Sequence, residues 1–202
     1  MEKSNTVSQI YQTAIGLIDA ANAEDPNCEF SEEDNENHPK ELLYSQRMID
    51  VLNRISPDAS VPLRLAVRAQ HIQRWKIPRA EYPRDRAGYR LWRSDLGKFH
   101  ADKTASILRA AGYSEKIIDR VKKLLCKERL KTDPDCQLLE DVICVVFVEY
   151  YLSDFSQKHD EAKLLNILRK TWIKMSSKGH QEVFRLNLAP HLKDLLSRAL
   201  NG

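Results

Sequence analysis

No Cys-x-x-Cys pair occurs among the four cysteines, Cys28, Cys126, Cys136 and Cys144. Without that spacing neither a zinc ribbon nor a disulfide framework is indicated, and a reducing compartment fits best. Long hydrophobic runs are missing as well. The most apolar stretch, "LLEDVICVVFVEYYL", is too short for a bilayer span and contains three acids. The opening "MEKSNTVSQIYQTAIGLIDAAN" is amphipathic and has no apolar core of a secretory leader. These absences predict a soluble, cytoplasmic protein with no membrane partner. Charge of one sign is scarce too: 32 basic against 29 acidic residues leave a net +3, too little to argue for nucleic acid. No serine or cysteine stands in a nucleophile motif, there is no internal repeat, and alternation of the β type is nowhere sustained.

What is present is helical periodicity. Ile10, Ala14, Leu17, Ile18 and Ala21 share one apolar face. The spacing predicts an N-terminal helix over 1–23, an acidic loop over 24–38, a core over 39–185 and a C-terminal helix over 186–202, all in a single domain. Within the core, helices are expected from about Pro39 to Asn53, and from Pro62 to about Trp75. A long ordered loop over 76–90 follows, then a helix from Phe99 to Ala111 with Gly112 as its C-cap. Two more helices, from Ser114 to Lys127 and from Pro134 to Leu152, precede a long one from Lys158 to Ser177. The Pro134 helix is apolar on nearly every side, so it is expected to be the central one. The fold class is all-α, compact, with about eight helices.

Charge is unevenly distributed. Residues 24–41 hold eight acids against one lysine, and residues 64–103 hold eleven Lys or Arg against four acids. In the basic stretch, "RDRAGYRLWR" interleaves arginines with Tyr89 and Trp92. Guanidinium groups grip phosphate or carboxylate with two prongs, and aromatic rings offer a stacking face. Arg86, Tyr89 and Arg93 recur at helical spacing, and Arg74, Lys127 and Lys131 could join them. A small anionic or phosphorylated, nucleotide-like ligand suits such a set. The bland alternative is that the rings fill the core while the arginines face water.

"HIQR" at 71–74 and "KMSSK" at 174–178 resemble the two ATP-binding signatures of class I aminoacyl-tRNA synthetases. Those signatures work at the ends of parallel strands with a glycine turn, and no strands are predicted to build such a sheet. "KMSSKG" reads instead as the end of an amphipathic helix.

Asp141 sits among Leu138, Val142 and Val145, where a carboxylate is costly unless paired or metal-bound. At the same time, "YSQRMIDVL", "LRLAVRAQHIQRW", "FHADKTASILRAAGYSEKIIDRVKKLL" and "LEDVICVVFVEYY" together resemble the motif helices of the HD-domain metal-dependent phosphohydrolases. The resemblance implies a metal centre near Tyr44, Gln70 and His71 that is closed by Asp141. Tyr44 replaces a histidine in it, and Gln70–His71 replaces the His–Asp doublet. His71, His100 and Asp141 would still offer two imidazoles and a carboxylate to Zn²⁺, Mn²⁺ or Fe²⁺. Glu128 or Glu140 could then act as general base. Over residues 39–185, "RAQHIQRW", "RAGYRLWR", "FHADK" and "KTWIKMS" are closely similar to an uncharacterised helical family, a domain of unknown function whose members are sometimes labelled glutamyl-tRNA synthetase. No activity comes with that second resemblance.

Two functions therefore remain open: a metal-dependent phosphohydrolase, and a non-catalytic HD-like module binding an anionic metabolite or a protein partner. An RNA-binding accessory role fits the modest charge poorly.

Overall fold

The computed structural model describes residues 2–130 and 132–201. Among them ten α-helices form around one cluster of buried apolar side chains that extends from Ala14 to Ala199. The all-α expectation holds, with two helices more than the eight read from the sequence.

Helix α1 (Glu2–Ala23) buries Ala14, Ile18 and Ala21, the face that its periodicity marks. The segment expected to be an acidic loop contains instead a small antiparallel hairpin, β1 (Cys28–Ser31) and β2 (Glu36–Pro39). Its strands are four residues each and polar, too short for a period of two to register. Asn35 takes the left-handed conformation in its turn, which asparagine tolerates well.

Helix α2 (Lys40–Ile55) follows directly, and α3 (Val61–Arg68) starts with Pro62 in its first turn and Ser60 as N-cap. The sequence places the end of α3 near Trp75, but the helix stops at Arg68. No glycine or proline explains that stop. The end of α1 does: the Gln73 backbone N–H donates to Asn22 Oδ1 at 2.9 Å, and its side chain donates to Glu24 at 2.9 Å. These bonds hold Gln73 at φ 49°, which no continuing helix allows.

Helix α4 (Arg86–Ala110) begins thirteen residues earlier than expected, because Asp85 accepts a hydrogen bond from the Gly88 N–H at 2.7 Å and caps it. Helices α5 (Glu115–Leu125) and α6 (Pro134–Val146) come next. As expected, α6 is central: Leu139, Val142, Val145 and Val146 are fully buried, and it packs on α2, α3, α8 and α9. It runs into a single π-helical turn over Phe147–Tyr151 before α7 (Leu152–Gln157). Helix α8 (Glu161–Lys174) then ends at the "KMSSK" segment, where Ser176 caps α9 (Ser177–Arg185); α10 (Pro190–Asn201) closes the chain. The sequence reading merges these junctions and misses α9. No helix of the described residues is long and apolar enough to cross a membrane.

The start of α6 is fixed by Asp133, whose carboxylate accepts from the Asp135 and Cys136 N–H groups while gripping Arg120. Asp133→Ala is expected to lower the unfolding free energy by about 1–2 kcal/mol with an unchanged urea m-value. A loss within 0.3 kcal/mol in urea titration would show that packing alone sets this helix start.

Candidate functional site

The turn after α3 and the first half of α4 carry the basic-aromatic stretch, and they close one side of a cavity of about 860 Å³. Gln70, His71, Arg74, Tyr89 and Arg93 line it, together with Lys127 from the turn after α5 and Glu140 from α6. Seven residues selected from the sequence are thus gathered. Helix α2 adds Lys40, Glu41 and Tyr44 to this polar side.

His71 is at its centre. Tyr44 stacks on it with ring centroids 4.0 Å apart, and Arg74 Nη1 lies 3.0 Å from its Nε2. Burial, reinforced by Arg74, His100, Arg93 and Lys127, holds its pKa well below the ordinary histidine value. The ring is therefore neutral. Its Nε2 lone pair accepts from Arg74, which leaves the Nδ1 hydrogen facing Glu41 Oε2 at 3.2 Å. Glu41 is itself pushed up to about 7, chiefly by burial, with Arg74 opposing and Asp25 adding to the rise. This contact is therefore a close approach of a neutral imidazole to a partly protonated carboxyl rather than a full ion pair. Arg74 lies with its guanidinium carbon 5.2 Å from the centroid of the Trp92 ring, and Trp92 Nε1 donates to the Ile77 carbonyl. Trp92 is thus a core residue that supports an arginine.

Glu140 is 3% exposed on the central, most buried helix. Burial works against its ionisation, but the Lys127 ammonium in direct contact, backed by Lys174 and Arg93, holds its carboxyl below the usual range. Lys174 Nζ is 3.6 Å from the same carboxylate. Lys127 reaches it from a left-handed backbone, φ 55°. Helices α4 and α5 end in the same turn, with a six-to-one bond from Tyr113 N to Leu108 O and from Glu128 N to Lys123 O. The first turn places Gly112 in the left-handed position; the second places Lys127 there.

The opposite side comes from α6, the π turn, α7 and α8, with Ile143, Cys144, Phe147, Tyr151, Phe155 and Ile167. Burial pushes the Cys144 thiol up to about 12, so it stays protonated at neutral pH. Lys170, Thr171, Ile173 and Lys174 of α8 complete the rim. The sequence reading missed this wall. Ile167, Lys170, Thr171 and Lys174 do share a helical face, but a mixed basic and apolar face carries no chemical signature.

Other selected residues fall elsewhere. Arg86 in the first turn of α4 is exposed, and Glu128 faces a separate surface groove with Lys123, Arg120 and Arg129. Lys131 lies outside the described residues. His71, His100 and Asp141 do not assemble into a metal site. His100 is buried behind His71, ring centroids 6.1 Å apart. Asp141 is one residue, about 100° of helix, away from Glu140, and it serves α9. It accepts from Ser176 N at 2.7 Å, Ser176 Oγ at 2.5 Å and Gln137 Nε2 at 3.1 Å. Gly179 lies against it, since a Cβ there would come within 3.0 Å of Asp141 Oδ1; this glycine is inside α9 rather than ending a helix. Among the described residues, the potential ligand atoms that do converge within 4.8 Å are those of Asp34, Glu36 and His38, exposed on the hairpin.

Compared with known proteins, residues 12–196 match a family described as Domain of unknown function (DUF4202). None of the curated proteins and none of the solved structures matches the chain.

Two outcomes follow from these environments. Burial, with Arg74 and Arg93, pushes His100 down to about 3. The unfolded chain therefore binds a proton near pH 6.5 that the folded one refuses until about pH 3. Stability from this group is complete above 6.5 and falls on acidification by about 1.4 kcal/mol per pH unit. His100→Gln should flatten the acid limb of a urea-midpoint profile measured from pH 7 to 5, and an unchanged slope would contradict the assignment. Second, Lys127→Gly should be more stable than Lys127→Ala by about 1 kcal/mol in the same assay. Both lose the ammonium, and only glycine relieves the left-handed backbone; equal stabilities would count against strain.

Proposed function

The chain belongs to the DUF4202 family, and we propose that it binds a small anionic ligand, phosphate- or carboxylate-bearing, in the cavity beside His71. One observation carries this reading: Arg74 and Arg93 line the cavity, and among the described residues neither guanidinium has a carboxylate partner. A partly buried guanidinium with no carboxylate in direct contact is under-satisfied, and a two-pronged oxyanion supplies what is missing. Lys40 and Lys170 add ammoniums at the rim with no ion-pair partner among the described residues, so six cations face two acids, Glu41 and Glu140, in this space. Burial keeps Glu41 about half protonated near neutrality, which leaves the field positive and attractive to anions.

Binding without metal chemistry is the better supported of the two functions. A metal-dependent phosphohydrolase of the HD type would need its closing aspartate at the site, and Asp141 is committed to the start of α9. Glu128, one expected general base, is outside the cavity, and Glu140, the other, is held as a carboxylate by two lysines. Tyr44, Gln70 and His71 line the same side of the cavity. They form a neutral, hydrogen-bonding floor beneath the arginines.

The test is calorimetric titration with pyrophosphate at two salt concentrations. Wild type should bind, more weakly as salt rises. Arg74→Ala and Arg93→Ala should each weaken binding at least tenfold, in line with the roughly 1.5–3 kcal/mol of a charge-assisted hydrogen bond. Circular dichroism would confirm that both variants fold. Unchanged affinity in both folded variants would overturn the site.

A further inference from the structure

We propose that the anion this cavity takes is an amphiphile, a phosphate ester of a hydrocarbon chain or a simple aryl group rather than of a nucleoside. The inference rests on the anion-binding reading above and adds to it the nature of the ligand's body. The cavity is two-sided. Its cations and hydrogen-bonding groups sit on α2, α4 and the turns after α3 and α5, while the facing wall from α6 through α8 is built of Ile143, Phe147, Phe155 and Ile167.

The polar groups on that facing wall are few and mostly spent. The Tyr151 hydroxyl accepts from Arg47 Nη1 at 3.1 Å and so offers a ligand little more than its single donor hydrogen. Cys144 is a protonated thiol, a weak donor. Lys174 is drawn to Glu140, which leaves Thr171 and Lys170. A nucleobase buried against this wall would present several donors and acceptors at its edge to a surface that cannot answer them, and each unanswered group costs affinity. A hydrocarbon or phenyl body has no such groups. It would instead cover apolar surface now bare: Ile173, at the cavity mouth, is 81% exposed. A volume of about 860 Å³ is far more than a phosphate head fills, so the apolar side is where the remainder of a ligand lies. At the polar end, Gln70 is 5% exposed and lines the cavity, and its Oε1 has no hydrogen-bond partner. That oxygen can accept from a P–OH on the head group, which fits an acid head at this end and an apolar body at the other.

The experiment compares affinities of the full chain for inorganic phosphate, adenosine monophosphate and octyl phosphate, the last kept below its micelle concentration, by calorimetry. A buried methylene contributes roughly fourfold, so octyl phosphate should bind at least thirtyfold tighter than phosphate, and adenosine monophosphate less than tenfold tighter. Ile173→Asn, at an exposed position, and Ile167→Asn, inside the cavity, should cut the octyl advantage, taken as the ratio of octyl phosphate to phosphate affinity in each variant, at least fivefold. A gain from adenosine equal to or larger than that from octyl would overturn the proposal in favour of a nucleotide. Phosphate binding with no gain from octyl, or an octyl gain untouched in both variants, would overturn it too while leaving the anion reading intact. If no phosphate compound binds, the anion reading itself fails, and this proposal with it.

Discussion

The burial of one carboxylate organises the site. Helix α6 is the apolar centre of the molecule, yet Glu140 on it is almost completely enclosed. A lone ionised carboxylate there would cost several kcal/mol, so the surrounding chain must bring cations to it. Lys127 arrives from the α5–α6 connection through a left-handed turn where a glycine would be easier, and Lys174 arrives from the last turn of α8. Meeting that demand brings the end of α8 and the α5–α6 connection to the same flank of α6. The cavity is the space left between these elements and the arginines of α4 and the turn before it.

The neighbouring residue shows how finely helical geometry divides labour. Glu140 and Asp141 are adjacent in sequence, both buried and both acidic. One step around the helix separates the cavity from the junction with α9, where Asp141 holds the Ser176 backbone and hydroxyl. From the sequence, either acid could be assigned to chemistry. The three donors that converge on Asp141 tie it to the junction of α6 with α9 rather than to the side of the helix that faces His71.

Local irregularities cluster around the cavity. Of the four non-glycine residues with positive φ among the described residues, Lys127 lines it and Gln73 directly precedes its Arg74, and the π turn over Phe147–Tyr151 contributes two rings to its apolar wall. Strained or irregular backbone persists only where surrounding contacts over-determine it, and such places are enriched in binding sites. Much of the polar side was legible beforehand. Gln70, His71, Arg74, Tyr89, Arg93, Lys127 and Glu140 were selected because guanidinium groups, rings and carboxylates announce their chemistry by type. Glu41 was not selected, because a glutamate in the first turn of a helix is ordinary until Tyr44, His71 and the hairpin bury it. The apolar wall was not selected either, because isoleucine and phenylalanine look the same in a core and beside a ligand.

The sequence by itself determined the helical class, the central place of α6, the cap at Gly112 and the start at Pro134. These depend on apolar spacing and on interactions within about four residues, which the chain order alone encodes. Only the tertiary structure decided that α3 stops at Arg68, that an acidic stretch pairs as a hairpin, and that Asp141 faces α9 while Glu140 faces the cavity. The hairpin pairs residues 5 to 11 apart, beyond the reach of one helical turn, and the other outcomes rest on partners 13 to 51 residues away: Lys127 for Glu140, Ser176 for Asp141, Asn22 for Gln73. A buried polar group must find its partner wherever packing puts one, and no local pattern says in advance which that will be.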